Sequence, residues 1–373
     1  MSSLFSPFDL SSPKGPLTLR NRVVIAPMCQ YSAVNGCASD WHLMHWANLL
    51  NSGSAMMIIE ATAVSPEGRI TPQCLGLWDE ASTHALEDKL HRARSLAPHV
   101  PVAIQLSHAG RKASSAVPWQ GGALLDLNQG GWQTLAPSPL AHQTQERAPL
   151  ALDKKGMDQV QEDFVNAAKR AQSIGIDAIE LHAAHGYLLH QFLSPVANQR
   201  NDEYGGSFDN RVRFVLEVFK AVRDVFKGPL GMRISAYDWI EGGWTPEETA
   251  QLSGRLKALG ADFVHISSGG VSSAQKVQVA PNYQVGFAQQ VKTQSGLTTI
   301  AVGLITQAEQ ANEIISSGQA DLVALARAFL YKPRWTWEAA ASLNAQVSAS
   351  PQYWRCLPKE AQHIFTDAMN VQR

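Results

Sequence analysis

The stretch Ala178-Ile-Glu-Leu-His-Ala-Ala-His-Gly-Tyr187 decides how the rest of the chain is interpreted. It begins as a short apolar run, which is typical of a buried strand. His182, His185 and Tyr187 then fall within six residues, at the point where the run ends. A polar, turn-rich segment, 193–211, follows. Polar groups at the end of a strand, followed by an elaborate loop, are where α/β folds carry their chemistry.

The composition excludes several classes of partner. The 373 residues are 45% hydrophobic and carry a formal net charge of −1, which argues against nucleic acid or an anionic membrane as the principal partner. The most apolar run, 55–59, is far too short to span a bilayer, and the first ten residues lack the apolar core of a signal peptide. The four cysteines show no disulfide or Cys-x-x-Cys spacing, so we expect a cytosolic protein.

Strand-like and helix-like patterns alternate about eight times along the chain. The predicted strands are 23–28, 55–61, 101–106, the run from Ala178, 230–235, 263–267, 299–302 and 322–325. The predicted helices are 40–50, 82–96, 157–171, 208–226, a helix opening at Thr245, 284–294, 306–317 and 335–345. Most of these strands are apolar on both faces, which is typical of parallel strands buried between helices. Eight repeats favour a single α/β domain folded as a (β/α)8 TIM barrel over an open doubly wound sheet.

Two further features bear on this fold. No Gly-x-Gly-x-x-Gly motif follows the first strand, which weakens the dinucleotide-binding alternative. Residues 109–150 carry glycines, prolines and two tryptophans without periodicity, so we expect a long capping loop after strand three that serves as a lid or binding loop. No linker divides the chain, and 1–373 is predicted to be one domain.

Polar residues accumulate late in the strands or just past them, at the end where barrels of this class hold their active sites. Cys29 and Tyr31 follow the first strand, Gln105 lies in the third, His182 in the fourth and Arg233 in the fifth. A guanidinium within an apolar strand requires a carboxylate or an anionic ligand. An internal salt bridge and a bound anion are therefore the two interpretations of Arg233.

The histidine pair admits three interpretations. His182 or His185 could be a core histidine bonded to the backbone, and metal ligation is weakened, though not excluded, because no third ligand stands at a suggestive spacing. Alternatively, the two imidazoles could donate hydrogen bonds to one substrate oxygen, with Tyr187 as a proton donor. The residues alone do not decide between these alternatives.

The turns after strands seven and eight, 303–306 and 326–328, occupy the usual phosphate-binding corner of a barrel. Backbone N–H groups, the N-terminus of an extra helix and the Arg327 cation could hold a phosphate there. An ordinary strand-to-helix turn with a surface arginine is the alternative, and spacing does not separate the two.

Seven motifs along the chain resemble those of a known family, the Old Yellow Enzyme flavin-dependent ene-reductases. The motifs, in family order, are Ala26-Pro-Met-Cys-Gln-Tyr31, Glu60-Ala-Thr-Ala-Val64, Pro66-Glu-Gly-Arg-Ile-Thr71, Ile104-Gln-Leu-Ser-His-Ala-Gly-Arg-Lys112, Glu180-Leu-His-Ala-Ala-His-Gly-Tyr187, Tyr204-Gly-Gly-Ser-Phe-Asp-Asn-Arg211 and Ala320-Asp-Leu-Val-Ala-Leu-Ala-Arg327. The match is most similar to the thermophilic-like branch, which includes bacterial xenobiotic reductases and NADPH dehydrogenases.

The resemblance implies an FMN-containing barrel that takes hydride from NADPH or NADH. The flavin N5 would pass it to the β-carbon of an activated alkene, such as an enone, enal, maleimide or nitro compound, and a tyrosine would protonate the α-carbon. One site would serve both substrates in turn, which predicts ping-pong kinetics.

The resemblance also assigns residues to the flavin. Ala26, Pro27, Met28 and Cys29 would line the ring, Ala61 and Gln105 would touch its pyrimidine side, Arg233 would oppose the charge of the reduced flavin, and Gly303, Ala326 and Arg327 would bind the phosphate. Ala326 replaces a usual glycine, which the backbone tolerates unless the position requires a positive φ.

The remaining implied roles concern the substrate and the assembly. His182 and His185 would hydrogen-bond to the substrate carbonyl, Tyr187 would protonate the α-carbon, and Tyr31 would add a hydrogen bond from above. Arg355 resembles an arginine that reaches into a neighbouring subunit's site, so the tail 346–373 is expected at a subunit interface of a homodimer or higher oligomer.

Three other functions compete with this one. A longer relative that reduces dienoyl-CoA thioesters or demethylates amines would carry clustered cysteines, which are not found here. A non-catalytic flavin-binding protein would not need His182, His185, Tyr187 and Arg233 together. A phosphate-binding barrel isomerase would be colourless.

Overall fold

Eight parallel strands close into a barrel in the computed structural model, which describes residues 2–366. The strands are β1 (Val23–Ile25), β2 (Met56–Ala63), β3 (Val102–Ser107), β4 (Ala178–Ala183), β5 (Leu230–Ser235), β6 (Phe263–Ser267), β7 (Thr298–Ala301) and β8 (Leu322–Leu325). Each strand pairs with the next along the chain, and β8 closes the ring on β1 with Val323 opposite Val23. The predicted TIM barrel is confirmed.

Helices lie between the strands at nearly the predicted positions. They are α1 (Asp40–Leu50), α2 (Glu80–Ser95), α3 (Lys154–Ser173), α4 (Leu188–Leu193), α5 (Phe208–Val225), α6 (Pro246–Ala258), α7 (Val285–Ser295), α8 (Ala308–Ser316), α9 (Arg327–Tyr331) and α10 (Trp335–Ser342). The start of α6 shows why the sequence is informative there. Thr245 caps the helix by accepting from the Glu248 N–H at 3.3 Å, and the Glu248 carboxylate accepts from the Thr245 N–H at 3.1 Å.

The strands bury apolar side chains on both faces. One set packs inside the barrel, and it includes Val24, Met56, Ala103, Phe263, Ile300 and Leu322. An antiparallel hairpin, Phe8–Leu10 with Leu17–Leu19, adds Leu10 and Leu19 to this inner cluster. The other set packs outward against the helices, so both faces of each strand leave water. Each fully buried Leu, Ile, Val or Phe contributes about 1.5–3 kcal/mol.

The long loop after β3 is ordered by its own hydrogen bonds. It contains three short 3-10 turns, and Leu135–Ala136 pairs with Leu150–Ala151 as two-residue strands. Its first part is a small hairpin in which Ser115 lies opposite Leu124. The Ser115 N–H bonds to the Ile70 carbonyl at 2.8 Å, which fixes the hairpin to the turn after β2.

The C-terminal segment packs against the side of the barrel. Its Ser350 hydroxyl donates to Asn51 Oδ1, at the end of α1, at 2.6 Å, and Val347 pairs with Phe365. Residues 367–373, part of the predicted tail, lie outside the described chain. The single domain over 1–373 and the interface role of 346–373 stay predictions. Within residues 2–366, no helix is both long and apolar enough to cross a bilayer.

Candidate active site

The turn after β4 brings His182, His185 and Tyr187 together. The rings of His182 and His185 lie 5.1 Å apart, and those of His182 and Tyr187 lie 4.8 Å apart, both edge to face. The turn is tight because His185 adopts a left-handed φ of 58° and Gly186 one of 75°. A Cβ at Gly186 would lie 2.1 Å from the Gly270 carbonyl oxygen, so glycine is required there.

One nitrogen of each imidazole is held by the protein. His182 Nδ1 accepts from the Ala184 N–H at 3.2 Å, so a neutral ring carries its proton on Nε2. His185 Nε2 lies 2.7 Å from Ser267 Oγ, and the His185 N–H donates to Ser235 Oγ at 2.9 Å. Within the described residues, His182 Nε2 and His185 Nδ1 have no hydrogen-bond partner. Both are therefore available to a ligand.

Burial sets the protonation of the triplet. Burial, and then the charge of Arg233, lowers the pKa of His182 and of His185 well below the usual histidine value, so both rings are neutral at neutral pH. Burial raises the pKa of Tyr187 well above that of a free phenol, so its proton is retained. Within residues 2–366, no three His, Cys, Asp or Glu side chains converge as a metal site requires.

Lys112 fixes the position of this turn, and the sequence alone predicted no role for it. Its ammonium donates to the His185 carbonyl at 2.8 Å and to the Gly270 carbonyl at 3.1 Å. It also lies 5.3 Å from the centre of the Tyr187 ring. Burial, and then the charge of Arg111, lowers the pKa of Lys112 to about 8.

A second support was also missed. His190, on α4, accepts from the Gly186 N–H through Nδ1 at 2.8 Å, and its Nε2 lies 2.8 Å from Asp238 Oδ1. Asp238 Oδ2 in turn accepts from the Ser194 hydroxyl at 2.6 Å. The sequence signal was a pair of polar residues, His190 and Gln191, between apolar ones, which by itself does not identify a partner 48 residues away.

The segment after β1 supplies the next wall of the site. The Ala26 N–H bonds to the Leu325 carbonyl at 3.0 Å, which keeps this segment beside β8. Burial, and then the charge of Glu60, raises the pKa of Cys29 well above its usual value, so it is a thiol. Tyr31 has a left-handed φ of 50°, and its ring meets that of Trp119 edge to face at 5.8 Å. Trp119, at the tip of the loop hairpin, is 67% exposed and was not singled out from the sequence.

Arg233 enters this space from β5 and has no direct ion-pair partner in the part of the chain that the structure describes. It is 8% exposed, and within residues 2–366 it forms no ion pair and its Nε has no hydrogen-bond partner. The predicted alternative of an internal salt bridge is therefore not found there. A buried cation of this kind calls for an anionic ligand.

A cavity of about 170 Å³ leads from Arg233 to the turns after β7 and β8. Its lining includes Gly303, Ala326 and the exposed Arg327. A Cβ at Gly303, whose φ is 120°, would lie 2.6 Å from Gln284 Nε2, so glycine keeps this corner open. Ala326 has a φ of −110°, and the absence of glycine there carries no strain.

The charges along this cavity fit an anionic group such as FMN. The buried Arg233 guanidinium, which forms no ion pair with another described residue, stands at the inner end, and Arg327 stands at the outer rim. Ala61 lies opposite Gln105 in the pairing of β2 with β3, so these two predicted residues are neighbours. Arg355 is exposed on the segment that packs near the end of α1, so the fold does not bring it to the site of its own chain.

These features together define a barrel oxidoreductase with a site for a flavin. Residues 3–346 match the model of the NADH:flavin oxidoreductase / NADH oxidase family, and the chain belongs to that family. It is 39% identical over 359 residues to an NADPH dehydrogenase of Geobacillus sp. (strain WCH70), covering 94% of this chain and 98% of the relative. It is 42% identical over 362 residues to an NADH:flavin oxidoreductase of Gibberella zeae, covering 90% and 87%.

Solved structures agree. Morphinone reductase aligns with a TM-score of 0.76 at 27% identity, over 96% of this chain and 93% of that one. Its complex with tetrahydroNAD aligns with the same TM-score at 25% identity, over 100% of both chains. The protein is thus an NAD(P)H-dependent FMN oxidoreductase of the Old Yellow Enzyme family, and the family predicted from the motifs is confirmed.

Proposed function

We propose that the enzyme reduces the C=C bond of activated alkenes, namely enones, enals, maleimides and nitro compounds. The observation that carries the proposal is the neutral histidine pair. Two rings 5.1 Å apart each leave one nitrogen without a partner among the described residues, and the ring of a protonated phenol lies 4.8 Å from one of them. This is a site that can stabilise an oxyanion and deliver a proton.

We propose that the cofactor is held by the residues that the family resemblance assigns to it, of which Arg233, Gly303, Ala326 and Arg327 line the cavity. We assign Ala26, Pro27, Met28, Cys29, Ala61, Gln105 and Arg233 to the flavin ring and Gly303, Ala326 and Arg327 to its phosphate. When bound, FMN supplies the two-electron chemistry that links the nicotinamide to the alkene.

The histidines bind and polarise the substrate oxygen. His182 donates through Nε2–H, since its Nδ1 is occupied by the Ala184 N–H. His185 donates from Nδ1 in the tautomer in which the Ser267 hydroxyl donates to its Nε2. Both donors are neutral, so they strengthen as charge develops on the oxygen without losing a proton to it.

Tyr187 and Tyr31 complete the site. Tyr187 gives its phenolic proton to the α-carbon, and its raised pKa favours return of that proton from solvent before the next turnover. Tyr31 adds a hydrogen bond to the substrate from the rim, where Trp119 supports its ring.

The test is a spectral titration of the purified protein. We expect a yellow protein that NADPH bleaches without oxygen and that 2-cyclohexen-1-one restores. Bleaching without restoration by any of several enones would contradict the substrate class and leave the flavoenzyme intact. An H182A/H185A variant that is bleached normally but restored as fast as the parent would contradict the role of the pair.

We also propose that Arg355 acts on substrate in the site of a second subunit and that the protein is a homo-oligomer in the cytosol. The support is that Arg355 is exposed while the adjacent Trp354 indole is fixed to the Ala349 carbonyl at 3.0 Å. Light scattering on the parent, and kinetics of R355A on the oligomer, test this. A monomer with full activity would contradict it.

A further inference from the structure

Four polar side chains form one layer inside the barrel, beside the histidine pair, since Arg233 lies opposite His182 in the pairing of β4 with β5. They come from four adjacent strands: Gln105 on β3, Glu180 on β4, Arg233 on β5 and His265 on β6. Gln105 lies opposite Glu180, and Arg233 lies opposite His265. Glu180 and His265 are fully buried, so this is a charged and polar layer within an otherwise apolar interior.

The Glu180 carboxylate is the centre of this layer. Its Oε1 accepts from Gln105 Nε2 at 2.6 Å, and its Oε2 lies 2.8 Å from His265 Nδ1. The first bond fixes which end of the Gln105 amide faces Glu180. The amide oxygen of Gln105 is thereby left to face a ligand, since within the described residues it accepts no hydrogen bond.

The charges in the layer nearly cancel. Burial disfavours the Glu180 carboxylate, but His265, Arg233 and the Gln105 hydrogen bond together outweigh burial, so the pKa of Glu180 lies below its usual value. Burial and the charge of Arg233 lower the pKa of His265, which is therefore neutral. One anion, Glu180, thus offsets one cation, Arg233, while the two form no direct ion pair.

We propose that Glu180, held by His265, is a positioning residue of the flavin site, which orients Gln105 and offsets the charge of Arg233. This inference rests on the proposed contact of Gln105 and Arg233 with the flavin. Its consequence is a lower reduction potential of bound FMN than Arg233 alone would give. An Arg233 cation without the nearby negative charge of Glu180 would favour the reduced flavin, which is the more negative form, and would therefore raise the reduction potential.

The substitution E180Q isolates the charge. The oxygen of a glutamine side chain can accept from Gln105 Nε2. Its NH₂ group can donate to His265 Nδ1 once the ring proton moves to Nε2, which has no hydrogen-bond partner within residues 2–366. Shape and hydrogen bonds are retained, and only the negative charge is lost. D262N is the matched control, because Asp262 also pairs with a buried arginine, Arg223, at 2.8 Å, and lies just before β6 at the other end of the strand.

The measurement is the midpoint potential of bound FMN against reference dyes, with the dissociation constant of FMN from fluorescence titration of the apoprotein. We expect E180Q to favour reduced FMN by at least tenfold, which for two electrons is about 30 mV in the positive direction. D262N should match the parent, and R233Q should shift the potential in the opposite direction.

The outcomes distinguish a failure of the role of Glu180 from a failure of the proposed flavin site. A shift in R233Q with none in E180Q would overturn this inference and leave the flavin site as proposed. No change in potential or FMN affinity in either variant would contradict the placement of Arg233 itself.

If circular dichroism shows that E180Q does not fold, the variants H265L and H265N test the inference instead. H265L removes the hydrogen-bond donor to Glu180 and should raise the midpoint potential of bound FMN. H265N places an amide donor where Nδ1 was and should return the potential to the parental value. Equal potentials in both would overturn the inference.

Discussion

The inner half of the site is built from strands, whereas its outer rim is built from the loop after β3, and the two hold their residues differently. His182 and Glu180 are buried in the barrel, and each is fixed by hydrogen bonds from neighbouring strands or turns. Trp119, on the rim, is 67% exposed at the tip of a hairpin. The strands therefore fix the positions of the chemical groups. The exposed rim is less constrained, and we expect its shape to determine which substrates bind.

The largest expected effect is loss of an inner donor. We expect H182A to slow reoxidation of the reduced enzyme by 2-cyclohexen-1-one by about 10²–10³-fold, as loss of one oxyanion donor does elsewhere. Reduction by NADPH should change much less, since hydride transfer from the nicotinamide develops no negative charge on an oxygen that His182 would stabilise. Stopped-flow spectroscopy of both half-reactions tests this, with the distant H84A as control. Equal losses in both would point to a damaged flavin site instead.

The next effect concerns Lys112, which joins the inner turns to the loop. Below a pH of about 8 its ammonium is charged and donates to the carbonyls of His185 and Gly270, and above that pH the charge is lost. We therefore expect alkene-dependent reoxidation of the parent enzyme to slow as the pH rises through about 8. K112M should be reoxidised several-fold more slowly than the parent below pH 8, and its rate should not change with pH in this range. A K112M profile identical to that of the parent would contradict this role.

A smaller effect is expected at the rim. W119A should change the ratio of kcat/KM for a bulky planar alkene to that for 2-cyclohexen-1-one by about 2–10-fold, since an aromatic contact is worth about 0.5–1.5 kcal/mol. W119F should retain most of the parental ratio. L127A, which removes another exposed side chain of the same loop, is the control. A W119A variant that slows both substrates equally would place Trp119 with the chemical groups and break the comparison.

The smallest effect lies farthest from the site. S350A removes a buried hydrogen bond between the C-terminal segment and Asn51, so it should lower the free energy of unfolding by about 1 kcal/mol. Chemical denaturation measures the loss, and steady-state kinetics should be unchanged. Lost activity at full stability would show that the segment reaches an active site.

The same contrast explains what the sequence could predict. The barrel followed from apolar runs such as 55–61, because a strand buried on both faces leaves a local signature. His182, His185 and Tyr187 were found because six residues of one chain segment place them together. The role of Lys112 was not predicted, because its contact with His185 spans 73 residues of the sequence and forms only once the loop is folded. Trp119 was missed for the same reason, since nothing local relates it to Tyr31.

The closure of the barrel has a consequence for biosynthesis. β1 obtains its second neighbour only from β8, because Val23 pairs with Val323. At the usual rate of translation, about 5–20 residues per second, roughly 15–60 s pass between the appearance of the two strands. During that interval the first strand presents an unpaired, apolar edge to the cell. Nascent chains stalled before β8 are therefore expected to be chaperone clients, and pulse labelling of such stalled chains would reveal the bound chaperone.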